Sequence, residues 1–147
     1  MVRIVDTRRE QVTRAGYRDL VSGSVVVIGI DPYLIDFSNP EFASTGLTAD
    51  GIQAGLEQSA DILNAEGYTA ELCLIGLTPD EVTAQLKRAL DARQWDCVVI
   101  GAGIRAMPSN LELFEIVLNV VHTHASQAKI CFNTVPTDTV AAVERWI

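Results

Sequence analysis

Four short apolar runs constrain the fold of this chain more than any other feature. They cover residues 24–31, 70–76, 96–103 and 129–134, each ends in Gly, Asp or an Asn-Thr pair, and segments long enough for helices separate them. Short apolar runs bounded by turn residues are typical of strands buried on both faces, and strands that alternate with helices form parallel sheets. The sequence therefore predicts a three-layer α/β/α sandwich around a four-stranded parallel sheet, which the N-terminal segment could extend by an edge strand.

The length and composition fit one domain. The chain has 147 residues, of which 48% are hydrophobic, enough to fill a core on each face of a sheet. We expect residues 24–147 to form this domain and residues 1–23, with five arginines, to form an arm or helix packed on it. The apolar runs are too short for a membrane span, and the first ten residues do not resemble a signal peptide. The sequence thus predicts a cytoplasmic protein without a membrane partner.

The charge distribution argues against one class of partner. The formal net charge is −8, and eleven acidic residues but no Lys or Arg lie between Asp19 and Leu86. A phosphate backbone would be repelled by that half of the chain, so nucleic acid is not an expected partner.

The cysteines and histidines do not have the spacing of a metal site. Cys73, Cys97 and Cys131 each fall inside a predicted strand, which favours reduced core thiols over disulfides or ligands. His122 and His124 are two residues apart on a predicted helix and so point to different faces. We expect no metal.

The order of the strands predicts where a ligand would bind. Right-handed crossovers favour the flavodoxin-like order 2-1-3-4, in which the chain reverses direction between strands one and three. The reversal opens a crevice at the carboxyl ends of these two strands. We expect Asp31 and the long connection to Leu47 to form one wall, and residues 101–105 the other. The connection is either a binding loop or a cover for one end of the sheet.

Start and stop signals mark four helices. The first is expected over 48–66, with Gly67 as its stop signal, and the second begins at Thr78-Pro79. Ser109 to Glu112 has the pattern of a capping box that opens a third helix to about residue 124, and a short helix over about 139–147 closes the chain.

The third helix is apolar nearly all round from Leu111 to Val121. Such a helix has no ordinary solvent face, so another element or another subunit should cover part of it. We therefore expect a homo-oligomer that associates through Leu111 to Val121.

Arg105 is the candidate charge partner for a ligand. It is the only basic residue between Arg93 and Lys129, and it falls at the predicted crevice. A guanidinium group suits bidentate recognition of a carboxylate or phosphate. The alternative is a structural ion pair with Asp31, Asp36 or Asp138.

Polar groups and glycines accompany Arg105 at the strand ends. Residues 101–106 match G-x-G-x-x-A, but Met107-Pro108 intervenes before the next expected helix, so NAD or FAD binding is disfavoured and the cofactor stays unknown. Gly101 and Gly103 would instead let the backbone turn and offer N–H groups to an anion. Asn133 and Thr134 supply hydrogen-bonding groups at the end of the fourth strand, or else cap the last helix.

Parts of the chain resemble two known kinds of protein. Residues 96–108, followed by 111–113, resemble the third-strand region of response-regulator receiver domains, where the strand ends in a phosphorylated Asp and a Met-Pro follows. Gly101 stands at the phosphoacceptor position, so the resemblance implies a receiver-like fold without phosphotransfer. More broadly, residues 29–32, 97–105 and 131–134 resemble a family of small bacterial flavodoxin-like α/β proteins. That resemblance implies no activity.

These observations predict a protein that binds a small anionic ligand at the carboxyl edge of the sheet. The candidate binding residues are Asp31, Gly101, Gly103, Arg105, Asn133 and Thr134. The alternative is a receiver-like protein–protein interaction module without a ligand. An enzyme using Asp31 as general acid or base is a third hypothesis, but no catalytic signature accompanies that residue.

Overall fold

The computed structural model describes residues 23–147 and contains a four-stranded parallel sheet. Its strands are β1 (Ser24–Ile30), β2 (Thr69–Ile75), β3 (Cys97–Ile100) and β4 (Lys129–Phe132). All neighbouring pairs are parallel, and the order is β2-β1-β3-β4. The predicted strand order is therefore confirmed. The expected N-terminal arm, residues 1–23, lies outside the described residues except for Gly23.

Helices cover both faces of the sheet, as the three-layer prediction requires. They are α1 (Pro40–Ala43), α2 (Ala49–Ala65), α3 (Pro79–Asp91), α4 (Ala102–Arg105), α5 (Leu111–His124) and α6 (Thr139–Glu144). One core lies between the sheet and α3 and α5, and the other lies between the sheet and α2 and α6. Single 3₁₀ turns over Pro32–Leu34, Pro108–Asn110 and Pro136–Asp138 connect some of these elements.

Alternate side chains of β1 pack in the two cores. Val26 and Ile28 pack in the core under α3 and α5, whereas Val25 and Val27 pack in the core under α2 and α6. All four are essentially inaccessible to solvent. Burial of such a side chain contributes about 1.5–3 kcal/mol, so β1 carries apolar residues at every position that faces a core. Gly29 is the exception, and it lies one residue before the strand ends at Ile30.

Three features of the helices differ from the sequence expectations. A one-turn helix, α4, begins directly after Gly101, where only a sharp turn was expected. The expected capping box at Ser109 does not form, because Asn110 is the N-cap of α5 and the Ser109 hydroxyl donates to the Glu41 carboxylate at 2.6 Å. The last helix ends at Glu144 rather than at the end of the chain.

Part of α5 is covered within the chain. Leu113, Val117 and Val121 are buried against the sheet, where α3 packs beside them. The apolar residues on the flanks of this stripe are half-buried, and Leu111 at the start of the helix is 62% exposed. The intramolecular contacts therefore account for one face of this apolar helix and leave its flanks accessible.

The three cysteines have the positions expected of core thiols. Cys73, Cys97 and Cys131 lie in β2, β3 and β4, and all three are buried and unbridged. Burial raises the pKa of the Cys73 thiol to about 11. A hydrogen bond with Cys131 and burial together raise the pKa of Cys97. Cys73 and Cys97 are therefore protonated packing groups at neutral pH. The same hydrogen bond with Cys97 lowers the pKa of the Cys131 thiol.

Between residues 23 and 147, no helix is long and apolar enough to cross a membrane.

Candidate functional site

A cavity of about 380 Å³ opens at the carboxyl edge of the sheet. It lies at the carboxyl ends of β1 and β3, the position that the reversal of chain direction predicts. Four segments supply most of its wall, namely residues 29–30, 51–56, 101–104 and 133–137. Pockets that hold small molecules have volumes of about 300–1,000 Å³, so this cavity has the size of a ligand site.

Glycines form much of the cavity wall. A Cβ atom at Gly29 would lie 3.5 Å from the Leu56 side chain, and one at Gly101 would lie 3.1 Å from the Ile28 carbonyl oxygen. At Gly103 a Cβ atom would have no described neighbour within 4 Å beyond the adjacent residues. A side chain at Gly29 or Gly101 would therefore meet neighbouring protein atoms, whereas one at Gly103 would enter open space.

Two further glycines of the cavity wall, Gly51 and Gly55, lie four residues apart on α2. They were not among the residues predicted from the sequence. Gly55 also lets the helix approach the turn after β4, because a Cβ atom there would lie 3.0 Å from Pro136 Cβ. A signal was available, since two glycines on one face of a helix weaken it and require a packing or functional reason.

Asn133 closes the cavity at the end of β4. Asn133 is only 3% exposed. Its Oδ1 accepts a hydrogen bond from the Ala102 N–H at 3.0 Å, and its Nδ2 donates one to the Thr139 hydroxyl at 3.0 Å. The Thr139 hydroxyl in turn donates to the Pro136 carbonyl, which also accepts from Ser59 of α2. This buried network fixes α2, α4 and α6 around the cavity.

Thr134, the next wall residue, is engaged by Asp138. Its N–H donates to the Asp138 carboxylate at 3.0 Å, and its hydroxyl donates to the same group. Burial pushes the pKa of Asp138 upward, but hydrogen bonds from Thr134 and Val135 and the charge of Arg145 outweigh it, so the pKa lies below its usual value. Asp138 therefore stays ionised and holds the turn after β4 in place.

Arg105 lies beside the cavity rather than in its wall. Its Nη2 donates to the Asn133 carbonyl at 3.0 Å, and its guanidinium carbon lies 5.8 Å from the centre of the Phe132 ring. Nε is buried and has no hydrogen-bond partner in the described part of the chain. The guanidinium forms no ion pair with any residue from 23 to 147, so the structural alternative, a pair with Asp31, Asp36 or Asp138, is absent.

Asp31 does not reach the cavity. Its carboxylate accepts the Tyr33 N–H at 3.0 Å and caps the turn Pro32–Leu34. The long connection after β1 contributes Ile35 and Leu47 to the wall instead. The structure thus brings Gly101, Gly103, Asn133 and Thr134 together around the cavity. It places Arg105 next to them and Asp31 on the outside.

Two side-chain hydrogen bonds attach the connection between β1 and α2 to neighbouring segments. The Tyr33 hydroxyl donates to the Asp50 carboxylate of α2 at 2.7 Å. The Glu41 carboxylate in α1 accepts from Ser109 in the turn before α5. Through Ile35 and Leu47 the connection contributes to the cavity wall, and its role as a binding loop stays a prediction.

Among residues 23–147, no three His, Cys, Asp or Glu side chains are arranged to hold a metal ion. No protein-family model, no curated protein and no solved structure matches this chain. The case for a function therefore rests on the geometry of the site.

Proposed function

We propose that this protein binds a small anionic molecule at the carboxyl edge of its sheet, with Arg105 as the charge partner. The observation that carries the proposal is a half-buried guanidinium, beside a ligand-sized cavity, that has no carboxylate partner among the described residues. A guanidinium has five N–H donors, and the Asn133 carbonyl takes one of them. An anion at the cavity rim would provide the missing opposite charge and further acceptors.

The other predicted residues have distinct roles in this proposal. Gly103 leaves space beside the backbone for a ligand. The Gly101 N–H, expected to be available to an anion, already donates to the Ile28 carbonyl at 2.9 Å, so Gly101 contributes to the wall without a free N–H. The side chains of Asn133 and Thr134 are already hydrogen-bonded within the protein, so we assign them to shaping the wall rather than to contacting the anion. Asp31 positions the connection that supplies Ile35 and Leu47. The proposal is for binding, and no residue is assigned to a reaction.

A thermal-shift screen tests the proposal with a closely matched control. The panel is inorganic phosphate, nucleotides, sugar phosphates and small carboxylates, applied to wild type, Arg105→Ala and Arg145→Ala. Arg145 is the control because its Nη2 donates at 3.0 Å to the carbonyl of Phe132, the residue before Asn133. Asn133, the partner of Arg105, lines the cavity, whereas Phe132, the partner of Arg145, does not.

We expect an anion to stabilise wild type and Arg145→Ala but not Arg105→Ala. A ligand at about a hundred times its Kd adds about 2.7 kcal/mol, which raises Tm by about 5–10 °C in a domain of this size. Arg105→Lys should retain a weaker shift, because it keeps the charge and loses the fork of donors. An equal shift in wild type and Arg105→Ala would refute Arg105 as the charge partner.

A second candidate function is the interaction module, acting through self-association of α5. It is favoured by the 62% exposure of Leu111 and by the half-buried apolar flanks of the helix, including Phe114 and Leu118. We also propose, from the sequence resemblance and composition, that the protein is a flavodoxin-like, bacterial and cytoplasmic homo-oligomer.

Light scattering coupled to size-exclusion chromatography tests the second candidate. Leu111→Glu and Leu118→Glu should convert an oligomer to a monomer, whereas Leu77→Glu, at an exposed site away from α5, should not. Charges at Val117 or Val121 would be uninformative, because both residues are fully buried and their loss would unfold the domain. A wild-type protein that is monomeric at all concentrations contradicts self-association.

A further inference from the structure

We infer that the part of the ligand inside the cavity is a flat, uncharged ring system, with the anionic group held outside at the rim. This inference rests on the proposed function, since it describes the ligand of the same site. It follows from three properties of the cavity: the absence of charge in its described lining, the backbone surfaces that form its walls, and its volume.

The lining excludes a buried charge. Every lining residue among those described is uncharged, and Ile35, Ile52, Leu56 and Ile104 supply large apolar side chains. The amide of Asn133 and the hydroxyl of Thr134, two polar groups of the wall, already have partners within the protein. A charged group inside the cavity would lose its hydration without gaining an ionic partner, which is strongly unfavourable. Arg105 is placed to meet the charge at the rim.

Backbone forms the wall on two sides of the cavity. Gly51 and Gly55 lie one turn apart on α2, and Gly101 and Gly103 come from the connection between β3 and α4 and from the first turn of α4. Where a glycine lines a cavity, a ligand meets backbone atoms rather than a projecting side chain. A planar ring gains contact over its whole face against such a surface, whereas a puckered or branched group touches it at a few atoms.

The volume sets the size of the ring system. An apolar cavity of about 150 Å³ holds a benzene molecule. The cavity of about 380 Å³ therefore has room for two fused six-membered rings. The ring system that fits the cavity resembles naphthalene in size, and we take 2-naphthoate as the probe that joins such a ring to an anionic group.

The experiment compares probes that differ in one property each. Isothermal titration calorimetry measures binding of 2-naphthoate, decahydronaphthalene-2-carboxylate, acetate and inorganic phosphate to the whole protein. The second probe has the charge and carbon skeleton of the first but a puckered body, and the last two have charge without a ring. We expect 2-naphthoate to bind at least about tenfold more tightly than any of the others, a difference of about 1.4 kcal/mol.

Two pairs of variants locate the binding. Gly103→Leu adds a side chain where the wall is open, and Ala106→Leu adds the same side chain at an exposed position outside the cavity. Val135→Asp adds a carboxylate to the wall, and Leu77→Asp adds one at a site of nearly equal exposure, 48% against 49%, outside the lining. The first member of each pair should weaken naphthoate binding about tenfold or more. The second member should leave it unchanged, and circular dichroism verifies that each variant folds.

The outcomes separate the two proposals. If acetate or phosphate binds as tightly as 2-naphthoate and the binding requires Arg105, the proposed function stands. The inference that the cavity holds a ring system is then wrong. If decahydronaphthalene-2-carboxylate binds as tightly as 2-naphthoate, the inference that the ring system is flat is wrong. Unchanged naphthoate binding in both folded cavity variants would place the ring elsewhere and overturn the inference. If no probe binds, the inference about the ring system fails, and the proposed function fails with it when the wider anion screen is also negative.

Discussion

At the scale of single residues, Asn133 shows how the cavity wall is held. One buried amide accepts from the first N–H of α4 and donates to Thr139 at the start of α6, while its own carbonyl accepts from Arg105. A buried amide costs stability unless it is hydrogen-bonded, and here both ends of the side chain have partners. Asn133 therefore fixes the geometry of the wall and is not a free group for a ligand.

Replacing Asn133 by alanine should destabilise the protein by about 1–3 kcal/mol, because the Ala102 N–H and the Thr139 hydroxyl lose a buried partner. The control is Asn119→Ala on the exposed side of α5, where the amide only donates to its own helix. That variant should change stability by less than about 0.5 kcal/mol. Urea denaturation measures both, and equal effects would contradict the structural role of Asn133.

Asp138 gives a pH dependence with a defined sign. The pKa of Asp138 in the folded protein is below its value in the unfolded chain, about 3.9. Its contribution to the stability of the fold is therefore fully present above that unfolded pKa. The contribution is lost as the pH falls through the folded pKa. Asp138→Asn should therefore be less stable than wild type at neutral pH, and the difference should shrink steadily below about pH 4.

Urea denaturation at a series of pH values tests this prediction. Thr137→Val is a suitable control, since Thr137 is exposed beside Asp138 and no described hydrogen bond joins their side chains. Its stability should follow the wild-type pH profile. A difference between wild type and Asp138→Asn that grows on acidification would reverse the sign and contradict the account.

At the scale of elements, α2 is the wall that the sequence did not reveal. Its apolar face predicted a crossover helix packed on the sheet, and this is confirmed by the burial of Leu56 and Leu63. Its glycines have a different purpose, because Gly55 allows contact with the turn after β4 and Gly51 lines the cavity, where a Cβ atom would lie 3.0 Å from Thr48 Oγ1. The apolar periodicity that predicts a helix carries no information about such a contact.

Gly55→Val should therefore destabilise the protein by about 1–3 kcal/mol, since a Cβ atom would already be 3.0 Å from Pro136 and two further carbons cannot be accommodated without a shift. Ala54→Val, at the adjacent exposed position, places the same side chain in the same helix and should cost only about 0.5 kcal/mol in helix propensity. Thermal denaturation separates the two effects. Similar losses in both variants would show that α2 does not approach Pro136 closely.

The sequence predicted the strands well and the loops poorly, for physical reasons. Strands buried on both faces need continuous apolar runs, so β1 and β3 were recognisable without knowledge of the fold. The one-turn helix α4 has too few residues to show a period. The orientation of Arg105 depends on the position of Phe132 and Asn133, which are distant in sequence. Local patterns predict which residues follow the strands but not which of them face the cavity.

At the scale of the whole molecule, the two candidate surfaces lie on different parts of the sandwich. The cavity wall includes α2 on one face of the sheet and also Ile30 and Ile104, which belong to the core under α5 on the other face. No residue of α5 itself lines the cavity. Ligand binding and self-association therefore do not compete for the same residues. Leu111→Glu should leave anion binding within about twofold of wild type, and an oligomer that requires the ligand would contradict this independence.

The central claim is that an anion binds beside Arg105 at the cavity. The most direct test is a titration of ¹⁵N-labelled protein, wild type and Arg105→Ala, with the strongest ligand of the anion screen, followed by two-dimensional NMR. The account predicts that the backbone amide signals of Gly101, Gly103 and Asn133 shift in wild type, and that these shifts are lost in Arg105→Ala. Shifts confined to α5, or unchanged by the substitution, would contradict it.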